Sequence, residues 1–109
     1  MEDKINLEAF VRTIIPDGNK YQNILNDKNS SKMHSGFVTL KPGQDVGEHT
    51  TGKNEELILV IEGTGEIEEG GVKRAVKKGD IGYNPPATVH NVINNSNDVL
   101  KYIFVVSEA

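Results

Sequence analysis

Apolar positions along the chain fall mostly into short runs closed off by Gly, Pro, Asn and Asp, the strand-and-turn punctuation of an all-β protein. Gly36 to Leu40 is one such run and ends at Lys41-Pro42-Gly43, a turn signal. Leu57 to Ile61 is continuous, apolar and rich in β-branched residues, and it stops at Glu62-Gly63. An unbroken run of this kind predicts a strand covered on both faces, one by the core and the other by the N-terminal segment or another subunit. Gly65 to Glu69 and Val72 to Val76 flank Gly70-Gly71, a loop suited to the positive φ of a hairpin turn. Ile81 to Asn84 runs into Pro85-Pro86, which cannot donate to a ladder and so ends the strand. Val89 to Ile93 and Leu100 to Val106 form a last pair across the turn cluster Asn94 to Asp98. Polar residues dominate from Gln22 to Ser35, predicting a loop. Leu7, Phe10, Val11, Ile14 and Ile15 have helical spacing, while Val-Arg-Thr-Ile-Ile favours a strand, so this segment is expected as a short helix or an edge strand.

Composition narrows the class. A chain of 109 residues makes a single domain, residues 1–109, small enough that a partner subunit would help to bury its surface. With 6% aromatic and 26% charged residues it is ordinary for a globular protein. There is no cysteine, so neither a disulfide framework nor a thiolate metal site is available. The start, MEDKINLEAF, lacks the apolar stretch of a secretory signal, and no apolar run approaches the ~20 residues that span a bilayer, so no membrane association and a cytoplasmic location are expected. A net charge of -4 and a pI near 5.3 argue against nucleic acid as a partner. Lys73, Arg74, Lys77 and Lys78 form a small basic cluster around a turn, which suits a solvated edge that discourages strand pairing.

Two segments carry the candidate chemistry. The first places His49 and Glu56 between Gly43 and Gly63, and the second places Pro85 and His90 between Gly79 and Asn94. These spacings resemble the paired motifs of the cupin superfamily over roughly residues 35–107, with 1–34 as a strand or loop extension. The resemblance implies a single-domain cupin barrel, a jelly roll or double-stranded β-helix, in which His49, Glu56 and His90 hold one divalent metal. Two imidazoles and a carboxylate suit Fe(II) with open positions, and equally Mn, Ni or Zn. Two positions depart from the pattern. Thr51 stands where the family has a second histidine, and Ala87 where it has a glycine.

Strand alternation links these residues to a cavity. If His49 points inward, Thr51 is expected to do so too, since side chains two apart share a face. Glu56, Ile58 and Val60 form a second inward row, and His90, Val92 and Asn94 a third. A histidine at 51 would on this reading complete the ligand set, and Thr51 could hold a water on the metal instead. Analogy with small cupins adds His34, on the face of Gly36 and Val38, together with Tyr102 and Phe104, as pocket residues. Glu55 should point away from Glu56, and Tyr83 could offer its hydroxyl to a ligand or to backbone. No serine sits in a nucleophile-elbow setting, no glycine-rich phosphate loop is present, and only Glu56 has reason to face a cavity. The expected function is therefore a metal-dependent enzyme of isomerase, dioxygenase or decarboxylase type, acting on a small oxygenated metabolite as a homodimer. The alternative is a non-catalytic small-molecule-binding or sensor cupin with a degraded metal site.

Overall fold

A computed structural model describes residues 7–109. Its nine strands are β1 (Tyr21–Leu25), β2 (His34–Leu40), β3 (His49–Thr50), β4 (Asn54–Glu62), β5 (Thr64–Glu69), β6 (Val72–Lys77), β7 (Ile81–Asn84), β8 (Val89–Ile93) and β9 (Leu100–Glu108). They form two antiparallel sheets, one in the order β1-β2-β9-β4-β7 and the other β3-β8-β5-β6, and no helix occurs among the described residues. This is the all-β architecture that the strand-and-turn pattern predicts, and the jelly roll that the motif resemblance implies.

The core lies between the sheets. Period-2 alternation sends Val38 and Leu40 of β2, Ile58 and Val60 of β4, Ile67 of β5, Val92 of β8, and Leu100 and Tyr102 of β9 into one buried cluster. β4 is held centrally, pairing with β9 from Asn54↔Glu108 to Glu62↔Lys101 and with β7 from Glu56↔Asn84 to Leu59↔Ile81. Gly70 and Gly71 both take positive φ and close the β5–β6 hairpin, as their sequence suggests. Asn94 ties one end of the barrel. Buried, it donates its amide to the carbonyls of Leu40 and Asp98, both at 2.8 Å, and accepts from the Ser96 backbone N–H at 2.9 Å.

Two expectations are corrected. The polar stretch from Gln22 is not all loop, because β1 forms within it. Its Tyr21 and Asn23 pair with Val38 and Gly36, and backbone pairing with a neighbour needs no apolar side chains. Gly36 makes room for this packing, since a Cβ there would lie 2.5 Å from the Tyr21 ring, which stacks on Phe104 with centroids 5.9 Å apart. Residues 7–15 are neither helix nor strand. The Arg12 guanidinium donates to the carbonyls of Asn23 and Ile24 at 3.1 and 2.9 Å, so a side chain occupies the β1 edge where an edge strand would have paired. Among the described residues of the single chain, Leu57 to Ile61 is covered on one face. Ile58 and Val60 are buried, whereas Leu57 and Ile61 stay exposed.

Ala87 adopts φ +55°, the left-handed region, at the turn where the cupin pattern carries a glycine. Its N–H donates to the Gly52 carbonyl at 2.7 Å, so the conformation is imposed by the loop it closes. An L-residue held there costs about 1 to 2 kcal/mol, partly offset in a glycine by greater freedom in the unfolded chain. Ala87→Gly is therefore expected to stabilise the fold by roughly 0.5 to 1 kcal/mol in urea unfolding. A loss of stability would show that the alanine methyl makes packing contacts worth more than the strain.

Candidate functional site

Alternation along β4 that buries Ile58 and Val60 also turns Glu56 inward, one layer away from Ile58. On the facing sheet, β8 turns His90 inward beyond Val92, and the β3–β8 register sets His49 directly opposite His90. The two imidazoles meet edge to face with centroids 4.1 Å apart. His90 Nε2 approaches Glu56 Oε1 to 3.0 Å across the gap between the sheets. The same carboxylate oxygen accepts from the Asn84 side-chain amide at 2.9 Å. A polar layer thus caps the apolar core.

Both histidines are locked in one tautomer. His49 Nδ1 lies 2.8 Å from the Gly47 carbonyl and His90 Nδ1 lies 3.0 Å from the Thr88 carbonyl. A carbonyl only accepts, so each Nδ1 carries the proton and each Nε2 presents a lone pair. His90 is 2% exposed, yet its Nε2 makes no hydrogen bond, because its approach to Glu56 is off the bonding line. Asn84 Oδ1 is also buried and unpartnered. Lone pairs facing a carboxylate with no donor between them mark a place for positive charge, whether a proton or a metal ion.

Electrostatics agree. Burial pulls the His90 pKa down, but the close approach of Glu56, the Thr88 carbonyl and the negative charges of Glu56 and Glu69 outweigh it, and the pKa lies above the ordinary 6.5. Tyr102 lies far above its ordinary value, first because it is buried and then because Glu56 is near.

Beside this cluster is a cavity of about 260 Å³. Tyr21, Val38, Val46, Val92, Tyr102, Phe104 and Val106 give it a mainly apolar wall, and His49 and Glu56 its polar end. Tyr102 and Phe104 therefore lie where the sequence puts them. Ile58 does not line the cavity and belongs to the core below Glu56. His34 pairs with Val106 at the start of β2, which places it on the cavity-facing side of the sheet, but it is exposed and outside the lining.

Thr51 is buried at the end of β3. Its backbone N–H donates to the Thr88 carbonyl at 3.1 Å, and its hydroxyl donates to the Pro85 carbonyl at 2.6 Å and accepts the Thr88 N–H at 3.0 Å. A histidine at 51 would lose this hydroxyl clamp. Glu55 does point away from Glu56, and accepts a hydrogen bond from the Tyr83 hydroxyl at 2.8 Å. Sequence reasoning missed Asn84. Its register opposite Glu56, one residue before the proline pair, is the signal that could have found it.

The donors suit a divalent ion in type. Two atoms bound cis to one ion at ~2.1 Å lie about 3.0 Å apart, which matches the spacing of His90 Nε2 and Glu56 Oε1. His49 remains short of convergence. Among the described residues no three His, Cys, Asp or Glu side chains are placed to hold a metal ion.

An antiparallel double-sheet barrel with a His–Glu–His cluster beside an interior cavity defines the cupin class. The chain belongs to the cupin family, whose cupin domain profile matches residues 36–106. No curated protein matches it. A cupin protein from Bacteroides fragilis superposes with a TM-score of 0.80 at 16% identity, over 94% of this chain and 87% of that one. A predicted oxalate decarboxylase from Thermotoga maritima superposes at 0.68 and 24% identity, over 70% of this chain and 66% of that one. A sugar phosphate isomerase of the cupin superfamily from Silicibacter pomeroyi superposes at 0.64 and 18% identity, over 72% and 52%. The chain thus spans less than two thirds of these last two proteins, and the likeness at such identities is one of fold. No helix among the described residues is long and apolar enough to cross a membrane.

With its folded pKa raised, His90 stabilises the metal-free protein fully below the unfolded value near 6.5, and that contribution is lost as pH rises through the folded value. NMR titration of the metal-free protein is expected to place the His90 pKa above 6.5, and Glu56→Gln is expected to lower it. An unchanged His90 pKa in Glu56→Gln would show that the 3.0 Å contact carries no charge coupling.

Proposed function

We propose that this cupin is a cytoplasmic, metal-dependent enzyme acting on a small oxygenated metabolite. The observation that carries the reading is the buried, unpartnered Nε2 of His90 facing the Glu56 carboxylate, with the His49 ring against it. His49, Glu56 and His90 would hold the ion through two Nε2 lone pairs and one carboxylate, a donor set open to Fe, Mn, Ni or Zn. When bound, the ion supplies a Lewis acid for adjacent hydroxyl, carbonyl or carboxylate oxygens, or a centre for dioxygen chemistry.

The remaining work falls to the chain. The Gly47 and Thr88 carbonyls orient the imidazoles, and Asn84 Nδ2 fixes the Glu56 oxygen nearest His90. The apolar walls from Val38, Val92, Phe104 and Val106 exclude water from a cavity of about 260 Å³, which limits the substrate to a few carbons. The Tyr102 hydroxyl, held protonated by burial and by Glu56, is available as a hydrogen-bond donor to a substrate oxygen. The Thermotoga neighbour is named as a predicted oxalate decarboxylase and the Silicibacter neighbour as a sugar phosphate isomerase, and the fold by itself does not choose between such activities.

A non-catalytic binding role is the second reading, favoured by the commitment of Thr51 to its loop and the incomplete convergence of the three donors. Elemental analysis of protein purified without chelator separates the two. About one equivalent of metal, abolished by His90→Ala with the circular dichroism spectrum unchanged, is the expected result. Affinity should also fall at acid pH, where protons compete for the imidazoles. Failure to take up any metal on reconstitution would leave the binding module standing.

A further inference from the structure

The cavity beside the His–Glu–His cluster, about 260 Å³, is polar at one end only. Register puts Val106 beside Glu56, Phe104 in the next row, and Tyr102 with Val38 in the row beyond. Glu56 and His49 mark the polar end, and the Tyr102 hydroxyl is close enough to feel the Glu56 charge. The rest of the wall offers a ligand nothing to bond. Tyr21 turns its ring to Phe104, while its hydroxyl accepts from the Asn23 side-chain amide at 3.3 Å. The backbones of β2 and β9 are no alternative, because each of these strands is paired along both edges. Among the described residues no lysine or arginine lines the cavity. Gly36 fixes its width, since a Cβ there would lie 2.5 Å from the Tyr21 ring and 2.8 Å from that of Phe104.

We infer that the substrate class of this site is a small compound with one oxygen-bearing end, held at His49 and Glu56, and an apolar body lying against Phe104, Tyr21 and Val38, and that phosphorylated or polyhydroxylated compounds are refused. The inference deepens the proposed function and rests on it for the oxygen-bearing end, whereas the apolar end rests on the wall alone. Size sets the upper bound. An engineered apolar cavity of about 150 Å³ takes up benzene, so the larger space here admits a ring of about six carbons together with a chelating head. Charge and desolvation set the class. A phosphate would be buried among valine methyls and facing Glu56, with no cationic side chain to pair with. Each sugar hydroxyl left unpartnered against the same wall costs on the order of ten- to a hundredfold in affinity. An apolar ring gains a comparable factor by leaving water.

Three hydroxamates with one chelating head and different tails test the inference by calorimetry on the zinc-loaded full chain. Benzohydroxamate is expected to bind at least about tenfold tighter than acetohydroxamate, and phosphonoacetohydroxamate at least about tenfold more weakly than acetohydroxamate. Tyr21 is 50% exposed, so Tyr21→Ala should fold and lose most of the benzohydroxamate advantage, which Tyr21→Phe should keep. Benzyl alcohol, followed by NMR in the metal-free protein, is expected to shift the Phe104 and Val106 signals. Equal affinities for the three hydroxamates, a preference for the phosphonate, or an advantage untouched by Tyr21→Ala would overturn the inference. So would benzyl alcohol that moves neither signal up to its solubility. A chain that takes up no metal removes the proposed enzyme but not this inference, which the benzyl alcohol titration then decides.

Discussion

One contact organises the site, the approach of the Glu56 carboxylate to His90 Nε2 between the two sheets. Burying a carboxylate and an imidazole costs several kcal/mol unless each finds compensation, and the surrounding groups are arranged to provide it. Asn84 reaches Glu56 from β7, the Thr88 carbonyl fixes Nδ1 of His90, and Glu69 adds negative potential from β5. The compensation stops one partner short, since His90 Nε2 and Asn84 Oδ1 remain unpartnered. A site left in that state is stabilised by whatever positive charge enters it. The raised pKa of His90 reflects this, and a metal ion would compete with the proton for the same place.

The polar layer is possible only because the layer beneath it is apolar and rigid. Ile58, Val60, Ile67, Val92, Leu100 and Tyr102 fill the space between the sheets and set the separation across which Glu56 meets His90. The motif residues accordingly divide into two kinds. His49, Glu56 and His90 face one another, while Asn94, Thr51 and Ala87 hold loops. Asn94 ties the β8–β9 turn to β2, and Thr51 and Ala87 bind the turn after β3 to the turn after the proline pair. The last two keep His90 in place indirectly, by fixing the chain just before β8.

Inside the barrel nearly every surface finds a partner, and outside it Leu57, Ile61 and Ile81 stay exposed among the described residues. This asymmetry follows from size. A chain this short encloses a small core, so a nine-residue strand such as β4 with apolar residues on both faces buries one of them and presents the other. The same β-branched residues that make β4 a strong strand former also make its outer face adhesive.

Much of this was legible in the sequence because it rests on local rules. Short apolar runs bounded by turn residues locate β2 and β4 to β9, alternation turns Glu56, Ile58 and Val60 to one side, and the paired motifs single out His49, Glu56 and His90. What the tertiary structure alone decided involves partners distant in the chain. β1 exists because β2 offers it a free edge, and residues 7–15 lack regular structure because Arg12 takes that strand's other edge with a side chain. Thr51 commits its hydroxyl to the Pro85 carbonyl and the Thr88 N–H, 34 and 37 residues away, partners that residues 49–51 do not reveal. Asn84 enters the site through its register opposite Glu56, 28 residues away. Periodicity determines which way a side chain points within a strand; where the strand stops, and what it then meets, is settled by the neighbour that pairs with it.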